Sequence, residues 1–99
     1  MKSKFSILIV DDNRELAANF MDIMRESDYG TVVAFDGESA LEVIKDNKFD
    51  LGLIDFKLPD TTGIELIKKM IKIRPLMEFV IITALSIMFS SSRTLPGQW

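Results

Sequence analysis

Four short apolar segments along the chain predict β-strands. Each is nearly continuous in apolar and β-branched residues, which is typical of strands that are buried on both faces of a parallel sheet. The third segment ends in Asp55, and the first ends at the pair Asp11-Asp12. We predict strands over residues 5–10, 31–35, 51–54 and 79–83.

Apolar residues between these segments recur at helical spacing and predict three amphipathic helices. Asp12, followed three residues later by Glu15, resembles a capping box at the start of the first helix. Asp36-Gly37 introduces the second helix, and Arg74-Pro75 stops the third. The three apolar stripes are Leu16, Phe20, Ile23 and Met24; Ala40, Leu41 and Ile44; and Ile64, Ile67 and Ile71.

The alternation of strands and helices predicts an α/β fold. Strand–helix–strand units have right-handed crossovers, which produce a parallel sheet covered by helices on both faces. The chain of 99 residues, 47% of them hydrophobic, can enclose one modest core and no second. We therefore expect a single domain.

The composition changes near the carboxyl terminus. No acidic residue follows Glu78, and Arg93 is the only charged residue beyond it. We divide the chain into a domain over residues 1–84 and a divergent apolar and Ser-rich tail over residues 85–99. The uncharged stretch 79–89 is too short to span a bilayer, and residues 90–92 with Pro96-Gly97 predict a loop.

Charge and composition exclude several kinds of site. Fifteen acidic and twelve basic residues give a net charge of -3, which argues against direct binding of nucleic acid. The chain has no cysteine and no histidine, so any metal must bind oxygen ligands. The apolar run at the amino terminus reaches Asp11-Asp12 too early for a signal peptide or a membrane span. We therefore expect a cytoplasmic protein without membrane contact.

Polar residues follow three of the predicted strands. Ligands of open parallel sheets bind beyond the carboxyl ends of the strands, where the winding reverses, and this rule selects Asp11, Asp12, Asp55 and Thr83. Two carboxylates about 4 Å apart repel by roughly 4 kcal/mol at an effective dielectric constant near 20. A divalent cation would relieve this repulsion, and oxygen ligands at an open site favour Mg²⁺, which also accepts phosphate oxygens.

These residues lie in segments that resemble the response-regulator receiver (CheY-like) domains of two-component signalling. The segments are Ile9-Val10-Asp11-Asp12-Asn13, Asp55-Phe56-Lys57-Leu58-Pro59-Asp60 followed by Thr62-Gly63, and Thr83-Ala84. The resemblance covers about residues 4–85, and the segments are specific as a set. It implies a flavodoxin-like, doubly wound parallel sheet.

The resemblance also implies a function and a set of roles. Asp55 would be the phosphoacceptor, and its donor would be a phosphohistidine on a sensor histidine kinase. Asp11, Asp12, Asp55 and the backbone carbonyl of Lys57 would hold Mg²⁺, and Thr83 would be the switch hydroxyl. Such a domain is not an enzyme, beyond Mg²⁺-assisted autophosphorylation and dephosphorylation.

The chain departs from the family pattern after the fourth strand. A complete receiver has a fifth strand, a fifth helix and a lysine at the end of that strand, whereas this chain has no lysine after Lys72. Arg93 is the one cation that could replace it. We therefore expect an incomplete sheet with an uncovered strand-four edge, and self-association through that edge and the tail.

Other interpretations of the same residues remain open. Asp12 could act only as a helix cap, Asp55 could be an ordinary polar strand end, and Thr83 could simply fill a strand. The whole domain could be a receiver-like interaction or dimerisation module without phosphotransfer. Two further classes fit less well: an aspartyl phosphohydrolase expects an Asp-x-Asp motif after strand one, and a flavodoxin expects a neutral phosphate loop there.

Overall fold

The part of the chain that the structure describes forms one five-stranded sheet with three helices on its two faces. The structure is a computed structural model, and it describes residues 5–83 and, for the backbone, 87–90. In chain order the elements are β1 (Ser6–Val10), α1 (Arg14–Glu26), β2 (Gly30–Ala34), α2 (Gly37–Asp46), β3 (Leu51–Asp55), α3 (Gly63–Ile73), β4 (Glu78–Ile82) and β5 (Ile87–Ser90).

The sheet has the strand order β2-β1-β3-β4-β5. Strands β1 to β4 pair in parallel, whereas β5 pairs with β4 in the antiparallel sense. The predicted doubly wound α/β fold is therefore confirmed, with four parallel strands and three helices. Within residues 5–83 and 87–90 there is no fifth parallel strand and no helix after α3.

The central strand β1 is buried on both faces, as its apolar sequence predicts. Ile7, Leu8, Ile9 and Val10 are each at most 1% exposed. Leu8 and Val10 belong to the larger core, which packs under α2 and α3. Ile7 and Ile9 belong to the smaller core, which packs under α1. The alternation of side chains along a strand thus divides one apolar run between two cores.

Strand β5 is a feature that the sequence did not predict. Only residues 83–86 separate it from β4, which leaves room for a hairpin connection and not for a helical crossover. Its pairing covers β4 from Phe79 to Ile82, so the expectation of an uncovered strand-four edge is wrong. Ser90, which the sequence places in a loop, is the last residue of β5. Arg93 and the other residues of 91–99 lie outside the described residues.

The predicted start and buried face of α1 need correction. Its N-cap is Asn13, whose side chain accepts a hydrogen bond from the Leu16 amide, and not Asp12. Ala17 is the buried residue of the helix, whereas Leu16 is 37% and Ile23 57% exposed. Phe20 and Met24 pack against the smaller core as their spacing predicts, so the buried face of the helix includes Ala17, Phe20 and Met24, and the prediction is wrong for Leu16 and Ile23.

None of the helices within residues 5–83 is both long enough and apolar enough to cross a membrane.

Candidate functional site

The winding of the chain reverses between β1 and β3. From β1 the chain passes through α1 to β2 on one side, and then through α2 to β3 on the other side. The crevice at the carboxyl ends of β1 and β3 is therefore the place where this fold binds ligands. Asp11 and Asp12 follow β1 directly, and Asp55 is the last residue of β3.

Asp11 is the one buried charged residue among those described, with 4% of its surface exposed. Its amide donates to the Ala34 carbonyl at 3.1 Å, which extends the β1–β2 pairing by one residue. Its carboxylate accepts one hydrogen bond, from the Asn13 amide at 2.9 Å. Burial, followed by the nearby charges of Asp55 and Asp12, raises the pKa of Asp11 above its usual value. The metal-free site therefore disfavours the charged form of this carboxyl group.

Asp55 is half-buried and has a similar environment. Burial raises the pKa of Asp55 above its usual value, and the charge of Asp12 adds to this effect. The nearby amides of Lys57 and Phe56 lower the pKa of Asp55 without cancelling the rise. The candidate nucleophile thus lies beside the first amides of the loop that follows it.

The three carboxylates converge on one point. Asp11, Asp12 and Asp55 each offer one oxygen, and these three oxygens all lie within 4.8 Å of one another. Asp12 is exposed, so the cluster opens to solvent on one side. Three crowded carboxylates, two of them with raised pKa values, fit a hard divalent cation that binds oxygen and retains water ligands. The residues present therefore fit Mg²⁺.

Lys57 lies in a tight loop after Asp55. Lys57 and Thr62 form an isolated antiparallel bridge, and the Gly63 amide donates to the Phe56 carbonyl at 2.7 Å. A Cβ atom on Gly63 would lie 2.5 Å from the carbonyl oxygen of Asp55, which no real Cβ does. Glycine is therefore required where α3 begins beside the site. The Lys57 side chain is exposed, as are those of Lys68, Lys69 and Lys72.

Thr83 follows the last residue of β4. Asp55 is the register partner of Ile82, and the Phe56 amide donates to the Ile82 carbonyl at 3.0 Å. Thr83 therefore continues the strand that neighbours Asp55, at the same edge of the sheet, and it is half-buried. Its position is compatible with the predicted switch role, which stays a prediction.

Three residues shape the site that sequence reasoning did not single out individually. Asn13 caps α1 and donates to Asp11, Gly63 allows close approach to Asp55, and Asp60 attaches the loop to α2. Each belongs to one of the segments quoted above, but a sequence segment does not show which atoms meet. Asn13 could have been identified from its position as a favoured capping residue directly before the helix.

A cavity of about 640 Å³ lies at the opposite edge of the sheet. Its lining includes Ser6 and Asp50, which precede or begin strands, together with Pro75 and Met77 before β4. None of Asp11, Asp12, Asp55, Lys57 and Thr83 lines it. The acidic cluster is thus separate from this cavity.

Comparison with known proteins identifies the same fold and segments. Residues 7–95 match the family described as the response regulator receiver domain. A response regulator receiver protein of Anaeromyxobacter sp. (strain Fw109-5) is 36% identical over 77 residues, which are 78% of this chain and 32% of that protein. The chain thus spans about a third of the length of this relative.

Two solved structures agree with this result. A CheY-like receiver domain from Methanospirillum hungatei JF-1 superposes with a TM-score of 0.81 at 34% identity, over 85% of this chain and 67% of that one. The response regulator TrrA from Thermotoga maritima, solved in complex with Mg²⁺ and BeF, superposes with a TM-score of 0.75 at 26% identity, over 80% of this chain and 69% of that one.

Proposed function

Because the chain belongs to the response regulator receiver domain family, we propose that it is a phosphoacceptor domain of a two-component phosphorelay. It takes a phosphoryl group from a phosphohistidine of a sensor histidine kinase onto Asp55, in the cytoplasm and with the help of Mg²⁺. The observation that carries the proposal is the convergence of the carboxylate oxygens of Asp11, Asp12 and Asp55 within 4.8 Å.

The metal site of this proposal uses the acidic cluster and the adjoining loop. Asp11, Asp12 and Asp55 supply carboxylate oxygens, and Lys57 supplies its backbone carbonyl oxygen. When bound, Mg²⁺ supplies positive charge to the phosphoryl oxygens and offsets the negative charge that accumulates during transfer. Asp11 and Asp12 would hold the cation beside Asp55, and the bound cation would offset the repulsion that these two acids exert on the ionised Asp55 carboxylate.

The transfer step is a displacement at phosphorus. One carboxylate oxygen of Asp55 forms a bond to phosphorus as the bond between phosphorus and the imidazole nitrogen of the donor breaks. The electron pair of that bond leaves with the imidazole, and the product is an acyl phosphate on Asp55. The nearby amides of Lys57 and Phe56 favour the ionised form of this carboxylate by lowering its pKa, and the ionised form is the one that attacks. The hydroxyl of Thr83 then donates a hydrogen bond to a phosphoryl oxygen.

The domain is a signalling component and not a turnover enzyme in this proposal. Its own chemistry is limited to slow phosphorylation by small donors and slow hydrolysis of the acyl phosphate. Because the chain spans about a third of a relative's length, the output of a longer protein would be decided by segments outside it.

A small phosphodonor tests the proposal directly. The protein is incubated with acetyl phosphate and Mg²⁺, and its intact mass is followed with time. We expect the intact mass of the wild type to increase by one phosphoryl group. This increase should be absent when Mg²⁺ is chelated before the incubation, and absent in Asp55→Asn. The Asp50→Asn variant is the matched control, because Asp50 lies at the opposite edge of the sheet and its substitution leaves the acidic cluster complete. Equal labelling of wild type and Asp55→Asn would refute the assignment of Asp55.

A second function is favoured by the region after β4. The absence of a lysine after Lys72, together with the antiparallel β5, leaves the chain without two family features of phosphoryl binding and readout. The domain would then act as an interaction module that associates with a second copy through the outer edge of β5. This alternative predicts no phosphoryl adduct and a dimer in light scattering, whereas a phosphorylated monomer contradicts it.

A further inference from the structure

The position of the Lys57 backbone carbonyl does not depend on the conformation of the Lys57 side chain. It depends on the path of the loop between β3 and α3, residues 56–62. Within the loop, Lys57 bridges to Thr62, and the Leu58 amide donates to the Thr61 carbonyl at 3.0 Å. These bonds fix the shape of the loop. Two further contacts attach the first residues of the loop to the domain: the Phe56 amide donates to the Ile82 carbonyl at 3.0 Å, and Leu58 is buried in the larger core. Neither contact involves the tip of the loop, residues 59–61.

Asp60 attaches the tip of this loop to another element. Its two carboxylate oxygens accept hydrogen bonds from the amides of Gly37 and Glu38, each at 2.9 Å, at the first turn of α2. The sequence separations are 23 and 22 residues, so these are tertiary contacts. Gly37 allows the approach, since a Cβ atom there would lie 2.6 Å from the Thr61 side chain. The loop and the helix end are thus in direct contact.

Helix α2 has a cap of its own and does not depend on Asp60 to begin. Asp36 is its N-cap, and the Asp36 carboxylate accepts a hydrogen bond from the Ser39 amide at 2.7 Å. Asp36 satisfies one of the amides left free at a helix start, and Asp60 satisfies two others. The local cap therefore belongs to the helix alone, whereas the Asp60 bonds join the helix to the loop.

The other end of α2 is also held. Arg74 is the C-cap residue of α3. It donates from Nε to the Ile44 carbonyl at 2.8 Å and from Nη2 to the Lys45 carbonyl at 3.3 Å. Ala40 and Ile44 bury the middle of the helix in the larger core. Because α2 is fixed along its length, its first turn is a firm support for a loop.

We infer that Asp60 is a positioning residue of the candidate metal site: its carboxylate holds the β3–α3 loop against the first turn of α2 and so places the Lys57 carbonyl oxygen beside the acidic cluster. This inference rests on the proposed function, because it concerns the Mg²⁺ ligand that the proposal assigns to Lys57. Asp60 acts through the loop backbone and not as a ligand itself.

A pair of alanine substitutions separates positioning from simple stabilisation of α2. Asp60→Ala and Asp36→Ala each remove one negative charge and one capping carboxylate from the amino end of α2. Only Asp60 belongs to the loop, so only its substitution breaks a connection between the loop and the helix. Mg²⁺ dissociation constants are measured by calorimetric titration. We expect Asp60→Ala to weaken Mg²⁺ binding about 10-fold, in the range for residues that orient metal ligands. Asp36→Ala is expected to stay within about twofold of wild type.

A second measurement needs no metal. Amide hydrogen exchange of Leu58, whose amide donates within the loop, is followed in the metal-free proteins. We expect faster exchange in Asp60→Ala than in Asp36→Ala at matched global stability. Asp60→Asn, which keeps one acceptor oxygen, should show intermediate values in both measurements, and it serves as the test variant if Asp60→Ala does not fold.

The outcomes distinguish the two proposals. A wild-type protein that fails to bind Mg²⁺ refutes the proposed function and this inference with it. Wild-type binding with equal Mg²⁺ affinity and equal Leu58 exchange in Asp60→Ala and Asp36→Ala overturns the inference alone. Weaker binding and faster exchange in Asp60→Ala alone support both.

Discussion

The two edges of the parallel sheet hold carboxylates in opposite situations. At the carboxyl edge, the oxygens of Asp11, Asp12 and Asp55 face one another. At the amino edge, Asp50 accepts hydrogen bonds from the Ser6 amide at 2.8 Å and from the Ser6 hydroxyl at 3.4 Å. Its backbone carbonyl also accepts from the Glu78 amide at 3.1 Å, so Asp50 joins the beginnings of β1, β3 and β4.

The difference shows how to distinguish a structural acid from a site acid. A carboxylate surrounded by N–H and O–H donors has its charge stabilised within the fold. Carboxylates that crowd one another lower the stability of the fold unless a cation or a proton joins them. Asp50 and Asp60 belong to the first kind, and Asp11 and Asp55 to the second. The five predictions below test this contrast, in order of decreasing effect.

Gly63→Ala should have the largest effect, because the added Cβ would overlap the carbonyl oxygen of Asp55 at 2.5 Å. We expect the free energy of unfolding to fall by about 3 kcal/mol, the upper end of the usual cost of overpacking. Urea unfolding followed by circular dichroism measures this change. Gly30→Ala at the amino edge is the control, since its nearest contacts would be at 3.9 and 4.0 Å. A cost as small as that of Gly30→Ala would contradict the close approach.

Mg²⁺ should stabilise the folded protein. A ligand present at 100 times its dissociation constant and bound only to the folded state adds about 2.7 kcal/mol to the free energy of unfolding. Asp55→Asn should lose most of this gain, whereas Asp50→Asn should keep it, because Asp50 lies outside the cluster. Thermal unfolding with and without the ion measures the effect. The same Mg²⁺ gain in both variants would place the ion elsewhere.

Without metal, Asp55→Asn should itself raise stability. The substitution removes one of three mutually repelling charges, and after allowance for solvent screening we expect a gain of about 1 kcal/mol at neutral pH. Urea unfolding in the presence of a chelator measures the gain. A loss of stability at neutral pH would show that the attraction between this carboxylate and the nearby Lys57 and Phe56 amides outweighs the repulsion.

The same repulsion sets the pH dependence of the metal-free protein. Folding raises the pKa of Asp11 and of Asp55 above 3.8, so the folded state binds more protons than the unfolded state above that pH. Their contribution to stability is fully present below pH 3.8 and is lost as the pH rises through the folded pKa values. The Gly37 amide lowers the pKa of Asp60 below 3.8. Asp60 therefore contributes to stability above pH 3.8 and loses this contribution as the pH falls through its folded pKa. The free energy of unfolding should therefore depend less on pH above 4 in Asp55→Asn than in wild type.

Asp50→Asn should have the smallest effect on the free energy of unfolding, and it should lower stability where Asp55→Asn without metal raises it. The asparagine oxygen still accepts a bond from the Ser6 amide but without the charge, so we expect a loss of about 0.5 kcal/mol. The loss should be unaffected by Mg²⁺, as measured by urea unfolding with and without the ion. If Asp50→Asn raised stability, the Asp50 charge would be unfavourable in the folded protein, as we argue for Asp55. The contrast between the carboxylates at the two edges of the sheet would then be wrong.

Much of the fold could be predicted from local patterns. The apolar run before Asp11 predicts a doubly buried strand, and Ile7 to Val10 are buried on both faces. The periodicity of α1 predicts a helix and correctly places Phe20 and Met24 on its packed side. It does not show that Ala17 is buried and Ile23 exposed. Periodicity records local spacing, and burial depends on the neighbouring layer.

The site was predictable only in part, for the same reason. The positions of Asp11, Asp12 and Asp55 at strand ends follow from the sequence, and the parallel sheet brings them together. The role of Asp60 does not follow, because its partners Gly37 and Glu38 lie 23 and 22 residues away. The antiparallel β5 was not predicted either, since strand direction depends on the length of the connection and on the available edge.

The sequence by itself determined where the four parallel strands and the three helices begin and end to within a few residues, which acids follow those strands, and which family the segments resemble. These properties depend on hydrophobic spacing and on side-chain chemistry, which are local. The tertiary structure alone decided that Asp60 accepts hydrogen bonds from the first turn of α2 and that β5 covers the edge of β4. These contacts join residues far apart in the chain, and their geometry is fixed only when the layers pack.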